Sequence, residues 1–207
     1  AKSSTRIDWT VTVHETYVNY AYDFSVAERD PSHIIFEISS DIPETHIPPG
    51  EVNADTNIGV NDVYNISVTK VSEDMTESVY VDYGIELHLH DSGGGNPQMP
   101  DSLYGLKFDD LGPDGNYRIS FDSDREPVWG DFYSKDGTGT YAWNLGFTSP
   151  DADPADPVGG ESVDNHLLVP DTISLFPTEV PEPSSVVLAL VAAVFLLASG
   201  RGRLTRA

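Results

Sequence analysis

Apolar and polar residues alternate with a period of two along most of this chain, and that pattern constrains its fold more than any other feature. In an extended strand successive side chains point to opposite faces, so alternation indicates a strand with one buried face. Ile7, Trp9 and Val11 show the pattern early in the chain. The alternating segments are residues 7–13, 20–26, 33–38, 63–71, 81–89, 117–121, 129–133 and 141–147. They predict about eight or nine β-strands.

The segments between these strands are rich in glycine, proline and aspartate. Such breaks lie at residues 47–50, 91–95, 112–115 and 135–139. Glycine supplies positive φ and proline presets negative φ, so these stretches favour turns. No window before residue 184 shows an apolar repeat of helical period. We therefore predict an all-β domain at residues 1–176, an antiparallel β-sandwich, with a jelly roll as one arrangement that such strands can take.

Charge and cysteine content exclude several classes of protein. All 34 acidic residues, but only 8 of the 11 basic ones, lie at or before Glu182. A domain this acidic does not suit nucleic acid, because affinity for phosphates rests largely on Lys and Arg. The chain has no cysteine, which excludes thiol catalysis and cysteine-ligated zinc. The acidity is compatible with solubility and with association with divalent cations.

The C-terminal region differs in character from the rest of the chain. The segment Val180-Pro181-Glu182-Pro183 precedes an apolar run at residues 186–198, and arginines follow that run. Together with its small flanking residues the run covers 184–200, which reaches the lower limit of about 17 residues for crossing a bilayer. The arginines are Arg201, Arg203 and Arg206. We predict a linker at 177–185, a transmembrane helix at 184–200 and a basic cytoplasmic tail at 201–207; a buried core helix is the alternative.

The order of Val180, Pro181, Glu182 and Pro183, apolar helix and arginines resembles the PEP-CTERM sorting signal of exported bacterial proteins. The resemblance implies that an exosortase, an integral-membrane enzyme, processes the chain near this motif. It also implies a precursor in the inner membrane and a mature form at the surface, or in the exopolysaccharide matrix, of a Gram-negative bacterium. Segments within residues 80–172 resemble other exported proteins with this tail, which implies no activity. An ordinary proline linker is the alternative interpretation of the motif.

The N-terminal end bears on export as well. The chain begins at Ala1, with neither a basic leader nor an apolar leader segment. We expect that a secretory signal peptide has been removed, and a truncated chain is the alternative.

Two groups of polar residues are candidates for metal binding. Glu86, His88 and His90 would share one face of a strand, where His-x-His spacing can present two nitrogens to a metal. A solvated face opposite a buried one explains the same pattern, and we prefer it. The second group consists of Asp109, Asp110, Asp114, Asp122, Asp124 and Asp131, with Asp151, Asp153 and Asp156 as a similar set. A structural calcium ion would accept such carboxylates, but surface acidity is the favoured interpretation, so we assign no cofactor and no metal ligand.

Aromatic side chains are candidates for sugar binding, and one basic side chain is a candidate for ion pairing. The three tryptophans and ten tyrosines could stack on sugars, because they combine an apolar face with a polar edge. Most of them fall on faces assigned to the core, so we expect core packing. Arg125 lies close in sequence to Asp122, Asp124 and Glu126, and we expect it to form a structural ion pair with them.

These observations favour a function without catalysis. No nucleophile elbow, phosphate-binding loop or zinc-protease motif occurs, so we expect no catalytic residue. The preferred hypothesis is a non-enzymatic exported protein of the cell surface or exopolysaccharide matrix, with exosortase and the inner membrane as partners during sorting. The alternative is a carbohydrate-binding β-sandwich at the same location. A glycan-active enzyme ranks below both.

Overall fold

The computed structural model describes residues 5–26, 31–72, 78–112, 116–136, 139–154 and 162–174. These residues form fourteen β-strands and no helix, so the all-β prediction is confirmed for the described part of the chain. The first seven strands are β1 (Thr5–Val13), β2 (Val18–Val26), β3 (Pro31–Glu37), β4 (Thr45–Ile47), β5 (Asn57–Ile58), β6 (Val63–Val71) and β7 (Ser78–Tyr80). The others are β8 (Gly84–His90), β9 (Leu103–Asp109), β10 (Asn116–Ser123), β11 (Arg125–Gly130), β12 (Phe132–Asp136), β13 (Tyr141–Trp143) and β14 (Leu167–Ser174).

The chain divides into two units, Ala1–Phe176 and Pro177–Ala207, and every described residue belongs to the first. The predicted linker, transmembrane helix and basic tail therefore lie outside the described residues. Across the ranges given above, the protein has no helix with the length and apolar character that a membrane crossing requires.

The strands form two six-stranded antiparallel sheets and one separate pair. In the first sheet the order is β1-β2-β10-β6-β5, with β7 also paired to β6. In the second sheet the order is β13-β12-β3-β9-β8-β4. Among the described residues, strands β11 and β14 pair with each other and with no other strand. Most neighbouring strands are distant in sequence, since β2 pairs with β10 and β3 with β9 and β12.

The two sheets enclose one hydrophobic core. In β2 the side chains of Tyr20, Tyr22 and Phe24 are fully buried, as alternation with a period of two requires. The rings of Tyr22 in the first sheet and Phe36 in the second stack at a centroid distance of 4.3 Å. Burial of aromatic surface of this size is a dominant source of folding free energy. The contact shows that the sheets pack face to face in a sandwich-like arrangement.

Strand β3 is buried on both faces, which separates it from a simple half-buried strand. Ile34 and Phe36 belong to the main core, whereas Ile35 joins a smaller cluster with Tyr133 and Phe147. This arrangement gives β3 a central position in its sheet, between β12 and β9.

Two of the predicted strands are in fact interrupted. The prediction of one strand over 81–89 is wrong, because residues 81–83 connect β7 of the first sheet to β8 of the second. The prediction over 129–133 is also wrong in extent: Asp131 separates β11 from β12, which belong to different sheets. A chain that leaves one sheet for another keeps its apolar alternation, so the sequence pattern does not reveal the break.

Candidate functional site

Four segments of the chain meet beside the break between β11 and β12. Glu37 is the last residue of β3, Asp131 occupies the break itself, Asp151 and Asp153 follow β13, and His166 immediately precedes β14. We call these five residues the carboxylate–histidine cluster. Their side chains form two overlapping groups in which candidate ligand atoms lie within 4.8 Å of one another, and Asp131 and Asp153 belong to both groups.

The centre of the carboxylate–histidine cluster is shielded from solvent. The side chains of His166 and Asp131 are 3% and 0% exposed, whereas that of Asp153 is 36% exposed. His166 Nε2 lies 3.2 Å from Asp131 Oδ1 and 3.8 Å from Asp153 Oδ1. The cluster is therefore a buried polar site with one side facing the solvent.

Backbone and side-chain hydrogen bonds fix the carboxylates of Glu37 and Asp131. The Glu37 amide donates to the Asp131 carbonyl at 2.9 Å, and the Asp131 amide donates to Glu37 Oε2 at 2.7 Å. Asn144 Nδ2 donates to Asp131 Oδ1, while Asn144 Oδ1 accepts a hydrogen bond of 3.1 Å from the Phe132 amide. Both carboxylates are thus held by groups that are themselves anchored.

The orientation of His166 is set by a tight turn and by the glycine at position 146, which has no side chain. Its Nδ1 lies 2.6 Å from the carbonyl oxygen of Val163, and its backbone amide donates to the same oxygen at 2.9 Å. Asp164 and Asn165 both take positive φ, which turns the chain sharply before β14. A Cβ atom at Gly146 would overlap the imidazole ring, so only glycine allows the backbone to lie against it.

The protonation of His166 follows from these contacts. A carbonyl oxygen can only accept, so Nδ1 carries the hydrogen that bonds Val163. In the neutral ring Nε2 then has a free lone pair. That lone pair faces carboxylate oxygens, which are also acceptors. Nε2 and the carboxylate oxygens can attract one another only when a proton or another cation lies between them.

Burial and mutual repulsion disfavour the ionised carboxylates of this site. Burial, followed by the charge on Asp153, raises the pKa of Glu37 to about 8. Burial also raises the pKa of Asp131, against the hydrogen bond from Asn144. Burial and the charge on Asp151 raise the pKa of Asp153. Several ionisable groups with perturbed pKa values in one place are typical of functional sites.

The predicted Glu86, His88 and His90 group does come together on one face of β8. Lys107 enters that group, however: its Nζ lies 2.9 Å from Glu86 Oε2 and also contacts Asp109. His90 is buried, with its Nε2 3.1 Å from the Gly105 carbonyl oxygen, to which it donates. A lysine therefore supplies the positive charge here, which favours a structural role over a metal site. The predicted solvated face is wrong in part, because His90 is buried and Leu89 on the opposite face is exposed.

The acidic residues that the sequence grouped together separate in the structure. Asp122 accepts hydrogen bonds from Asn19 and Asn65 at 2.7 and 2.8 Å. Asp124 accepts one from Tyr64 at 3.2 Å. Asp109 contacts Lys107 and Asp110 is exposed. Among the described residues, Asp131 from the first set and Asp151 and Asp153 from the similar set join the carboxylate–histidine cluster, whereas Asp114 and Asp156 lie outside the described residues.

Arg125 forms a structural ion pair, but the predicted partners are wrong. Its guanidinium contacts Asp41 at 2.7 Å and Asp62 at 2.8 Å, and donates to the Asp171 carbonyl at 2.9 Å. The side chain is 9% exposed. Asp122 and Asp124 precede β11 and bond other residues, and Glu126 is adjacent to Arg125 in β11, where neighbouring side chains lie on opposite faces.

The tryptophans contribute mainly to packing. Trp129 is buried and meets Trp9 edge to face at 6.0 Å. Trp143 stacks with Tyr141 at 6.1 Å. A groove of about 340 Å³ lies beside Trp129 and is also lined by Tyr104, Glu37 and Asp153. Two members of the carboxylate–histidine cluster, Glu37 and Asp153, therefore lie at the wall of this groove.

The predicted sorting residues Val180, Pro181, Glu182 and Pro183, and the arginines Arg201, Arg203 and Arg206, lie outside the described residues. Comparisons with protein-family models, with curated proteins and with solved structures found no match to this chain.

Sequence reasoning missed two members of the carboxylate–histidine cluster, Glu37 and His166. Glu37 is the last residue of an apolar strand, and His166 follows a polar turn, so neither position has a local signal of its own. The two residues reach Asp131 only through strand pairing and loop packing across long stretches of sequence.

Proposed function

We propose that this chain is a non-enzymatic exported protein of the bacterial cell surface or exopolysaccharide matrix. It carries a C-terminal PEP-CTERM signal that an exosortase processes. The observation that carries the proposal is the order of Val180-Pro181-Glu182-Pro183, an uncharged apolar run and three arginines at the end of the chain. The precursor spans the inner membrane through residues 184–200, with its arginines in the cytoplasm.

The character of the described domain is compatible with a protein that acts outside the cytoplasm. It is an acidic β-protein without cysteine, so its stability rests on its core and not on disulfides. Its buried basic residues, such as Lys107 and Arg125, are engaged in ion pairs that connect strands. Exopolysaccharide is the partner that this location offers, and the acidic charge of the domain disfavours nucleic acid as a partner.

The sorting proposal is tested by replacing Pro181, Glu182 and Pro183 together with alanine in the producing bacterium. Export and membrane insertion should continue, because the apolar run and arginines are intact. Processing should stop, so the full-length form should accumulate in the inner membrane. The matched control replaces Thr178 and Glu179 with alanine and should be processed normally. Normal processing of the triple variant would show that this motif is not required for processing.

The groove beside Trp129 favours a second candidate function, carbohydrate binding at the same location. Tyr104 and Trp129 line it together with Ser39 and Asp171, which combines aromatic surface with hydrogen-bonding groups. A glycan array probed with the mature protein tests this function. Saturable binding that is lost in Tyr104→Ala, but retained when the exposed Leu145 is changed to alanine, would support it. Absence of any saturable ligand would favour the non-binding surface protein.

A further inference from the structure

We propose that the carboxylate–histidine cluster binds one hard divalent metal cation, calcium or manganese. Glu37, Asp131, Asp151 and Asp153 would supply oxygen ligands, and His166 would supply Nε2. This inference goes beyond the proposed function, because it rests on the described domain alone and does not depend on sorting. Its steps are the unpartnered atoms, the histidine tautomer, the charge balance and the donor chemistry.

Three buried polar atoms of the cluster have no hydrogen-bond partner within the described part of the chain. They are Asp131 Oδ2, Asp151 Oδ1 and His166 Nε2. Buried polar atoms in folded proteins are nearly always bonded, because an unbonded one carries the cost of its lost hydration. Among the described residues these are the buried side-chain atoms without a partner, and all three converge on one place. A single cation between them would satisfy all three.

The tautomer of His166 makes it a ligand and not a hydrogen-bond donor. Nδ1 is held at 2.6 Å by the Val163 carbonyl, which leaves the Nε2 lone pair directed at Asp131 and Asp153. A histidine that donates one ring N–H to a backbone carbonyl and presents the other nitrogen inward has the orientation found in metal-ligating histidines. Gly146 preserves that orientation by leaving room for the ring.

The charge balance separates this cluster from the other acidic groups of the domain. Glu86 and Asp109 share Lys107, and Asp41 and Asp62 share Arg125. Within the described ranges, the basic side chain that contacts Asp131 and Asp153 is His166, which is charged only when protonated, and neither lysine nor arginine contacts the four carboxylates of the cluster. A divalent cation would supply the positive charge that the other groups obtain from a basic side chain.

The donor chemistry selects the class of metal. Carboxylate oxygens suit calcium, magnesium and manganese, whereas imidazole nitrogen suits zinc, copper, iron and nickel; four carboxylates against one imidazole therefore favour a hard cation. Calcium takes about 6 to 8 oxygen ligands, and four carboxylates that bind through one or two oxygens can provide most of them. The partly exposed Asp153 marks the side from which water would complete the coordination. The bound ion would join the end of β3, the β11–β12 break, the segment after β13 and the turn before β14.

The test uses the full chain, purified in mild detergent and freed of metal with a chelator. Thermal unfolding is followed near pH 7.5 without added metal and with calcium, manganese, magnesium or zinc chloride. At a calcium or manganese concentration of about 100 times Kd, the Tm should rise by about 5–10 °C. Titration calorimetry should give one site per chain.

Two variants keep this test decisive. Asp131→Asn should retain the hydrogen bond from Asn144 and fold without metal, but the rise in Tm should be lost. Asp153→Asn is the second variant, because it is partly exposed and removes one ligand with little risk to folding; it should weaken binding about tenfold or more. The control is Glu86→Gln, in the lysine-paired group, which should keep the full response. If Asp131→Asn fails to fold, Asp153→Asn decides the outcome.

Several outcomes would overturn the proposal. One is the absence of any rise in Tm with calcium or manganese. That result would mean that protons, and not a metal ion, connect the side chains of the cluster. Another is a rise of equal size in the wild type and Asp153→Asn. Stabilisation by zinc alone would reject the assignment of a hard cation.

Discussion

At the scale of single residues, His166 depends on the absence of a side chain at position 146. A Cβ there would overlap the ring, and the ring has no free space because it is held by Val163 and packed beside Asp131. Gly146 is therefore a packing requirement of the carboxylate–histidine cluster. It lies three residues after the end of β13, where the sequence shows only an ordinary glycine in a loop.

We expect Gly146→Ala to lower the free energy of unfolding by about 1–3 kcal/mol, because overpacking displaces the ring or the backbone. Urea-induced unfolding measures this change. Gly95→Ala is the matched control, since an added Cβ there meets no atom within 4 Å. The control should change the free energy by less than about 0.5 kcal/mol. Equal effects of the two substitutions would contradict the packing role of Gly146.

His33 gives the domain a definite dependence on pH. Burial, together with the charges on Lys107 and Lys135, lowers the pKa of His33 from 6.5 to about 4. Its Nε2 lies 3.0 Å from Asn96 Oδ1, and its Nδ1 is 3.9 Å from Asp109. The unfolded chain binds the proton at higher pH than the folded one. The stabilisation is therefore complete above about pH 6.5 and is lost as pH falls from there towards 4.

We expect His33→Gln to lose less stability than the wild type between pH 6.5 and 4, since glutamine does not titrate. The difference should be on the order of 3 kcal/mol at pH 4, as a pKa lowered by two to three units implies. Urea unfolding at a series of pH values, in saturating calcium, measures it. Stability curves that remain parallel over this range would show that His33 is not the titrating group.

At the scale of secondary-structure elements, Arg125 connects β11 to two loops and to β14. Its partners are Asp41, which follows β3, Asp62, which precedes β6, and the carbonyl of Asp171 in β14. Asp62 is largely buried, with a side chain that is 16% exposed. Loss of the arginine would leave that charge without compensation.

We expect Arg125→Ala to lower the free energy of unfolding by about 3–5 kcal/mol, because a buried pair loses one partner. Arg118→Ala is the matched control: it removes an arginine that pairs with Asp23 at 2.7 Å, but its side chain is 47% exposed. An exposed pair contributes about 0–1 kcal/mol, so the control should have a small effect. Thermal or urea unfolding compares the two. Similar losses would contradict the distinction between the buried and the exposed pair.

The strands themselves could be predicted from the sequence where one face is apolar. Tyr20, Tyr22 and Phe24 are buried as their spacing indicates, and Val63–Val71 is a strand over its whole predicted length. Alternation does not report pairing partners, so it predicts a continuous strand both at the break at Asp131 and at the crossing at 81–83. Strands of two or three residues, such as Asn57–Ile58, are too short to show a period.

At the scale of the whole molecule, the candidate metal site could be predicted only in part. Asp131, Asp151 and Asp153 were noticed as acidic residues, but in groups defined by sequence neighbourhood. Glu37 and Asp131 are 94 positions apart and meet because the end of β3 packs beside the β11–β12 break. Such a meeting depends on tertiary structure, which composition and spacing do not encode locally.

The tail and the domain provide different kinds of information about function. The domain offers a buried site and a groove, whereas our proposal on where the protein is delivered depends on the order of residues 180–207. The tail pattern is local in sequence, so it can be recognised without a structure. The proposal that the protein is exported and then sorted therefore rests on the sequence. Its test must be made in the producing cell.

The most direct test is the intact mass of the protein in each cell fraction of its host. Our account predicts a form whose C-terminus lies near Pro181–Ser184, recovered from the cell surface or the medium. That result would make the β-domain, without the apolar helix, the functional molecule. A full-length form confined to the inner membrane would contradict the account, and would leave Val180-Pro181-Glu182-Pro183 as a linker to a permanent anchor.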